Sequence, residues 1–384
     1  MARTFDIPVL VTRPYLPPLE DFKRGLEEVW ANRWLSNNGP ILKRFLRELA
    51  AYLGVAETNV ALFANGTLAL ELGFQALGLA GAEVVTTPFT FVATSHALKR
   101  IGATPVFADI DPETFCLSPE TAERAMTPRT RAIVPVHVYG HPCDVDGFAR
   151  LGEKYNVKII YDAAHAFGID LATKNAEGTK KSIGCYGDMS MFSFHPTKLF
   201  HSCEGGLLVF KDASVQEKLS ELRNFAIKGE LSCVDVGTNA KMNELQALMG
   251  LECLKAIDML LASRVEIHAA YREAFAGCEE VVFPDPARFA ASRKMSFTPN
   301  YAYCPVLFKN YETRERVYEG LKAANVFARR YFYPLLTDFA PYAYGKGTCP
   351  VAEDVSRRVL TLPTYHGLPT DDVKAIAQNV MEML

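Results

Sequence analysis

Three frequent signatures of nucleotide chemistry and hydrolysis are missing from these 384 residues. There is no G-x-G-x-x-G, no G-K-[ST] loop and no G-x-S-x-G elbow. Their absence removes the commonest dinucleotide, P-loop and α/β-hydrolase readings. No C-x-x-C occurs either, and the nine cysteines are scattered and odd in number. They read as reduced thiols of a cytoplasmic protein, not as a disulfide framework. No Lys/Arg-rich run exists, and a net charge of −3 is spread along the chain, which argues against nucleic acid or a membrane surface as partner. The opening stretch MARTFDIPVLVTRPYLPP has too short an apolar run and too many prolines for a signal peptide or spanning helix. What is present, 49% hydrophobic and 22% charged residues, suits one large domain and a smaller one.

Short apolar runs alternate with helical periodicity. Helices are expected over 20–34 and 41–53, separated by the turn LSNNGP. Strands are expected at 60–64, 83–87, 105–109, 131–138, 157–161, 190–194 and 206–210, mostly with helices between them. That alternation predicts an α/β fold, with a seven-stranded, mixed and mainly parallel sheet covered on both faces. The last two runs lack an intervening helix and are expected to pair antiparallel. Leu245, Leu248, Leu251, Leu254, Ile257 and Leu261 mark one long helix over 243–274. It leads from a large domain, 1–250 with the N-terminal segment included, into a smaller α+β domain, 251–384. There 301–308 and 326–334 read as strands, 313–324 and 370–383 as helices, and 351–363 as a helix entering a turn.

Chemistry concentrates at the strand ends. Asn65-Gly66-Thr67 joins a strand to a helix, where close backbone approach, a hydroxyl and free helical amides suit a phosphate. Plain N-capping would use the same residues. Asp162 ends a buried strand in VKIIYDAAHAFG and needs a partner, either helical amides or a protonated heterocyclic nitrogen. His165 is placed to orient it or to touch the same ligand. Phe91 follows another strand end and offers a face for stacking, or for core packing. His137, His141 and Cys143 are metal-ligand types, but their spacing fits no common zinc pattern and Gly140-His141-Pro142 reads as a turn, so no metal is expected. Lys198 lies in the bend of MFSFHPTKLFHSCEGGLLVF, with Ser193 five residues before it. Cradle, stacking ring, carboxylate and amine together are the groups that hold pyridoxal 5′-phosphate.

The motifs ANGTLAL, TPFTFVAT, PVHVYGHPCD, YDAAHAFG, SFHPTKLFHSCEGG and NAKMNELQALMG resemble, in that order, the DegT/DnrJ/EryC1/StrS sugar aminotransferases. The resemblance implies the aspartate aminotransferase fold (fold type I), homodimers with shared active sites, and transfer of an amino group from L-glutamate to a nucleotide-linked keto sugar. By it, Lys198 is the Schiff-base lysine and Asp162 the partner of the pyridine nitrogen. Phe91 stacks on the ring, Gly66, Thr67 and Ser193 hold the phosphate, and His165 lies beside the cofactor. Asn239 reaches the neighbouring subunit's phosphate, and Lys241 stands where most relatives have Arg. A lysine instead of histidine at 198 favours transamination over 3-dehydration. The stretches IPVLVTRPYLPPLEDF, WLSNNGP and FARRYFYPLLTDFAPY are similar to the branch that aminates C4 of dTDP-4-keto-6-deoxy-D-glucose, with Asn37, Asn38, Arg329, Tyr331 and Tyr333 at the sugar or diphosphate. The alternatives are 3-amination, a UDP- or GDP-sugar, or a non-catalytic regulator that keeps the fold.

Overall fold

Strands buried on both faces form the centre of the molecule, which is seen in a computed structural model describing residues 3–174 and 179–384. The seven strands are Val60–Phe63, Glu83–Thr86, Thr104–Phe107, Thr130–Val134, Lys158–Asp162, Met189–Ser193 and Gly206–Phe210. Across the sheet they lie in the order first, seventh, sixth, fifth, fourth, second, third. Gly206–Phe210 runs antiparallel to both its neighbours and every other pairing is parallel, as expected from the missing helix before it. Alternate side chains serve two cores: Ile159, Tyr161 and Phe192 one, Ile160, Met189 and Met191 the other. Helices Pro40–Leu53 and Val145–Tyr155 contribute to the first core, Gly66–Ala76 and Ala93–Arg100 to the second. The C-terminal ends of the parallel strands therefore share one edge, the place where open α/β sheets bind ligands.

The C-terminal unit departs from expectation in four places. The long helix is two, Glu244–Leu254 and Ile257–Ala274, joined by a turn in which the Ala256 amide bonds Cys253 O at 3.1 Å. The turn re-aims the chain, because Leu248 and Leu251 pack under the sheet while Ile267 and Tyr271 belong to a separate C-terminal core. The expected strand 326–334 is regular only at Val326–Phe327. Its aromatics pair as side chains instead, Phe332 with Phe89 at 5.6 Å and Tyr333 with the Arg314 guanidinium at 4.4 Å. Residues 351–363 split into helix Pro350–Arg358 and strand Val359–Leu362, which pairs antiparallel with Cys304–Leu307. Finally, Val9–Leu10 pairs with Val326–Phe327, and Phe5 and Val9 lie in the C-terminal core. Phe5 and the Val9–Leu10 strand thus join the C-terminal core and not the cores under the sheet.

Candidate active site

A cavity of about 590 Å³ opens at the sheet edge, and Gly66, Thr67, Phe91, Asp162, His165, Ser193 and Lys198 all line it. Asp162 is the last residue of its strand and is only 5% exposed. Its carboxylate accepts hydrogen bonds from Thr94 Oγ1 at 2.7 Å and from the Ala164 amide at 3.0 Å. Burial raises its pKa above the ordinary value, against the opposing pull of those two donors and of Lys198. His165 Nδ1 accepts the Tyr139 amide at 3.0 Å, so the proton of the neutral ring sits on Nε2. Burial first, then the Lys198 charge, push its pKa well down and keep it neutral.

The cradle follows from local sequence. Asn65 caps helix Gly66–Ala76 by accepting the Leu68 amide at 2.9 Å. The earlier amides of Gly66 and Thr67 occupy positions where a helix has no internal acceptor, and they border the cavity. Gly206 lets the adjacent strand pass beneath: a Cβ there would stand 2.5 Å from Asn65 O and 2.8 Å from Gly66 N. Arg100, the cation on that rim, is engaged by Glu71 at 2.6 Å. Phe91 is 58% exposed with its ring on the cavity wall, where the core would have hidden it. Lys198 lies in the bend after the sixth strand, and its Nζ donates to the Tyr303 hydroxyl at 3.2 Å.

Of the five substrate candidates, Tyr331 lines the cavity and the others do not. Tyr333 turns away onto Arg314, and Arg329 is exposed while its backbone bonds Thr361. Asn37 and Asn38 are exposed, the latter accepting from Arg223 Nη2 at 3.4 Å. Asn239 is also exposed and outside this cavity. His137 Nδ1 accepts the Cys143 amide, His141 Nδ1 meets Thr114 O, and the Cys143 thiol donates to Val136 O. These three ligand types thus knit a turn, and among the described residues no group of three or more His, Cys, Asp or Glu could hold a metal. All nine cysteines are free. No helix among the described residues is long and apolar enough to cross a membrane. Thr94, Tyr303 and Phe332 also line or support the site and were not singled out from sequence. For Tyr303 the alternation of a strand start hid the role. For Thr94 the only hint was a hydroxyl-rich helix start, TFVATSHAL.

The DegT/DnrJ/EryC1/StrS aminotransferase family matches residues 19–381. The chain belongs to that family. As a member it is an aminotransferase of α/β fold, and it is 40% identical over 380 residues to the dTDP-4-amino-4,6-dideoxy-D-glucose transaminase of Shigella dysenteriae, covering 98% of this chain and 99% of that protein. The crystal structure of DesI in the presence of its TDP-sugar product aligns with a TM-score of 0.89 at 36% identity, covering 98% of this chain and 93% of that one. The structure of NtdA from Bacillus subtilis with bound cofactor PMP aligns with a TM-score of 0.83 at 25% identity, covering 95% and 81%.

Proposed function

We propose that this aminotransferase uses pyridoxal 5′-phosphate to move an amino group from L-glutamate to C4 of dTDP-4-keto-6-deoxy-D-glucose, giving dTDP-4-amino-4,6-dideoxy-D-glucose. The observation that carries the reading is one cavity faced by both a lysine amine and a carboxylate kept from water. The likeness to the Shigella and DesI proteins supports the choice of sugar. The donor set also suits the cofactor. Burial raises the pKa of Asp162, and a protonated ring nitrogen beside it would favour its charged form. The Gly66 and Thr67 amides with the Thr67 and Ser193 hydroxyls would take the phosphate, Phe91 would cover the ring, and His165 Nε2 offers one neutral donor.

When bound, the cofactor supplies an electron sink for the carbon that loses or gains a proton. The residues do the rest. Asp162 fixes the charge of the ring nitrogen, and Thr94 and Ala164 fix Asp162. Lys198 Nζ takes the proton from the amine-bearing carbon of glutamate and, in the second half, delivers one to C4 of the sugar. The two substrates use the cavity in turn. We keep the division into a cofactor-holding unit, 1–250, and a capping unit, 251–384, with one change, residues 5–10 going to the second. Active sites are shared in a homodimer: Asn239, Asn37 and Asn38, exposed and outside their own cavity, serve the neighbouring one. The exposed apolar Phe225, Leu231 and Val236 nearby along the chain suit such an interface.

The test is product analysis after incubation with dTDP-4-keto-6-deoxy-D-glucose, L-glutamate and pyridoxal phosphate. A 4-amino sugar with one equivalent of 2-oxoglutarate is expected. A 3-amino sugar, or no turnover, would overturn the reading. Mixing Lys198→Ala with Asn239→Ala chains should restore part of the activity lost by each, if sites are shared.

A further inference from the structure

We infer that Tyr303 is a positioning residue that holds the Lys198 amine in line with the cavity whenever that amine is free. The inference rests on the functional reading above, since it gives the amine a proton to move. A lysine carries a flexible four-carbon stem, and a free amine at its end samples many positions unless something holds it. The hydrogen bond to the Tyr303 hydroxyl, 3.2 Å long, is the contact that sets Nζ here.

The phenol is itself immobile. Tyr303 is 5% exposed, its ring 4.6 Å from that of His165, 5.9 Å from Tyr139 and 6.1 Å from Tyr331. The loop that presents it is pinned from both sides. Asn300, 2% exposed, donates through Nδ2 to the carbonyls of His165 and Phe167 at 2.9 Å each, and its Oδ1 accepts the Ala302 amide at 3.1 Å. Buried Arg264 reaches the Ala302 carbonyl at 3.5 Å and the Thr364 carbonyl. Two buried polar side chains thus anchor a segment that reaches the cavity through Tyr303. Asn300 also ties it to the loop that carries Asp162 and His165, so carboxylate, imidazole and phenol are joined through one hydrogen-bonded segment. Tyr303 enters from the start of strand Cys304–Leu307, which places the capping unit in direct contact with the reacting amine.

The experiment compares the full chain with Tyr303→Phe, which keeps the ring packing and removes the hydroxyl. Lysines are labelled by ¹³C reductive methylation after glutamate treatment, and the Lys198 signal is assigned by its loss in Lys198→Arg. A displaced Lys198 resonance in Tyr303→Phe, moved toward that of exposed lysines, is expected. The kcat should fall roughly ten- to a hundredfold while KM for glutamate stays within about twofold, as for a misplaced proton carrier. An unmoved resonance, or an unchanged kcat, would overturn the inference. If Tyr303→Phe does not fold, Asn300→Ser, which loosens the loop and keeps the phenol, should give the same displacement, and its absence would overturn the inference as well. Failure of the wild-type chain to aminate the keto sugar would sink the functional reading alone, because the Lys198 resonance needs only the glutamate half, which frees the amine, and no sugar turnover.

Discussion

Two buried carboxylates in this molecule each accept two hydrogen bonds and have opposite meanings. Glu244, fully buried, accepts the Ile41 and Leu42 amides at 2.8 and 3.1 Å, the first turn of helix Pro40–Leu53. It meets the positive end of a helix, and Gly39 lets the backbone pass close over it, since a Cβ there would stand 2.5 Å from Glu244 Cδ. Asp162 accepts one hydroxyl and one amide, and its remaining face looks into a cavity. Thus Glu244 is satisfied within the chain and reads as a clamp, whereas Asp162 is only partly met and, on the proposed function, is kept for a ligand.

Substitution separates the two. Asp162→Asn should lower turnover roughly a thousandfold, the loss of a preorganised charge at the reacting ring. Equilibrium denaturation of the cofactor-free variant should show stability within about 1 kcal/mol of wild type, because a desolvated charge has been removed. Comparable loss of both would make Asp162 a clamp like Glu244. Glu244→Ala should instead cost about 3 kcal/mol, since two buried amides lose a charged acceptor. The folded fraction should keep kcat within severalfold. Glu244→Gln, retaining one acceptor, should cost about 1 kcal/mol.

This contrast also explains what was legible in the chain. The place of Asp162 on the cavity could be read because an apolar run delivers it to a strand end, and that of Lys198 because Asp162 and the Gly66-Thr67 cradle give an amine in a later bend a reason to face them. Glu244 could not, because its partners, Ile41 and Leu42, lie about two hundred residues away and no local pattern joins them. The sheet was legible for the same local reason, each strand being a continuous apolar run. Residues 326–334 were not: β-branched and aromatic content promised a strand, but Phe332 and Tyr333 find tertiary partners, Phe89 and Arg314, that outweigh a ladder. Asn37, Asn38 and Asn239 lie outside the cavity, and the homodimer proposed above would give that a similar origin. Sequence order says nothing of which copy a residue faces.

His137 tests whether imperfect compensation by itself marks a functional group. Its amide bonds Asp162 O at 3.0 Å, yet its ring is stacked on Tyr161 at 4.6 Å and does not line the cavity. Nδ1 accepts the Cys143 amide, while Nε2 has no partner. Burial pushes its pKa down to about 3, from an ordinary value of 6.5. The unfolded chain therefore binds a proton below about pH 6.5 that the folded chain refuses, and stability falls as pH drops through that window. Between pH 7 and pH 5 the contribution is roughly 2 kcal/mol. His137→Gln should be less stable at pH 7 and approach wild type as pH falls. Its turnover at pH 7 should stay within severalfold, which would place His137 with Glu244. A parallel pair of stability curves would remove the titration from His137.

The smallest effect has the opposite slope and belongs to Asp162. With its folded pKa raised by burial, the folded chain holds a proton that the unfolded chain has already released. In that window the folded state binds more protons, so stability declines as pH rises from the ordinary aspartate value through the folded one. Asp162→Asn cannot titrate, so its stability relative to wild type should increase over the same interval and then level off. Binding of a cationic ring beside the carboxylate favours the charged form and should flatten the difference. The comparison therefore requires two pH series of denaturation curves, one without pyridoxal phosphate and one with it. A difference that persists unchanged with the cofactor would mean that Asp162 is compensated from inside the protein, as Glu244 is, and not by a ligand.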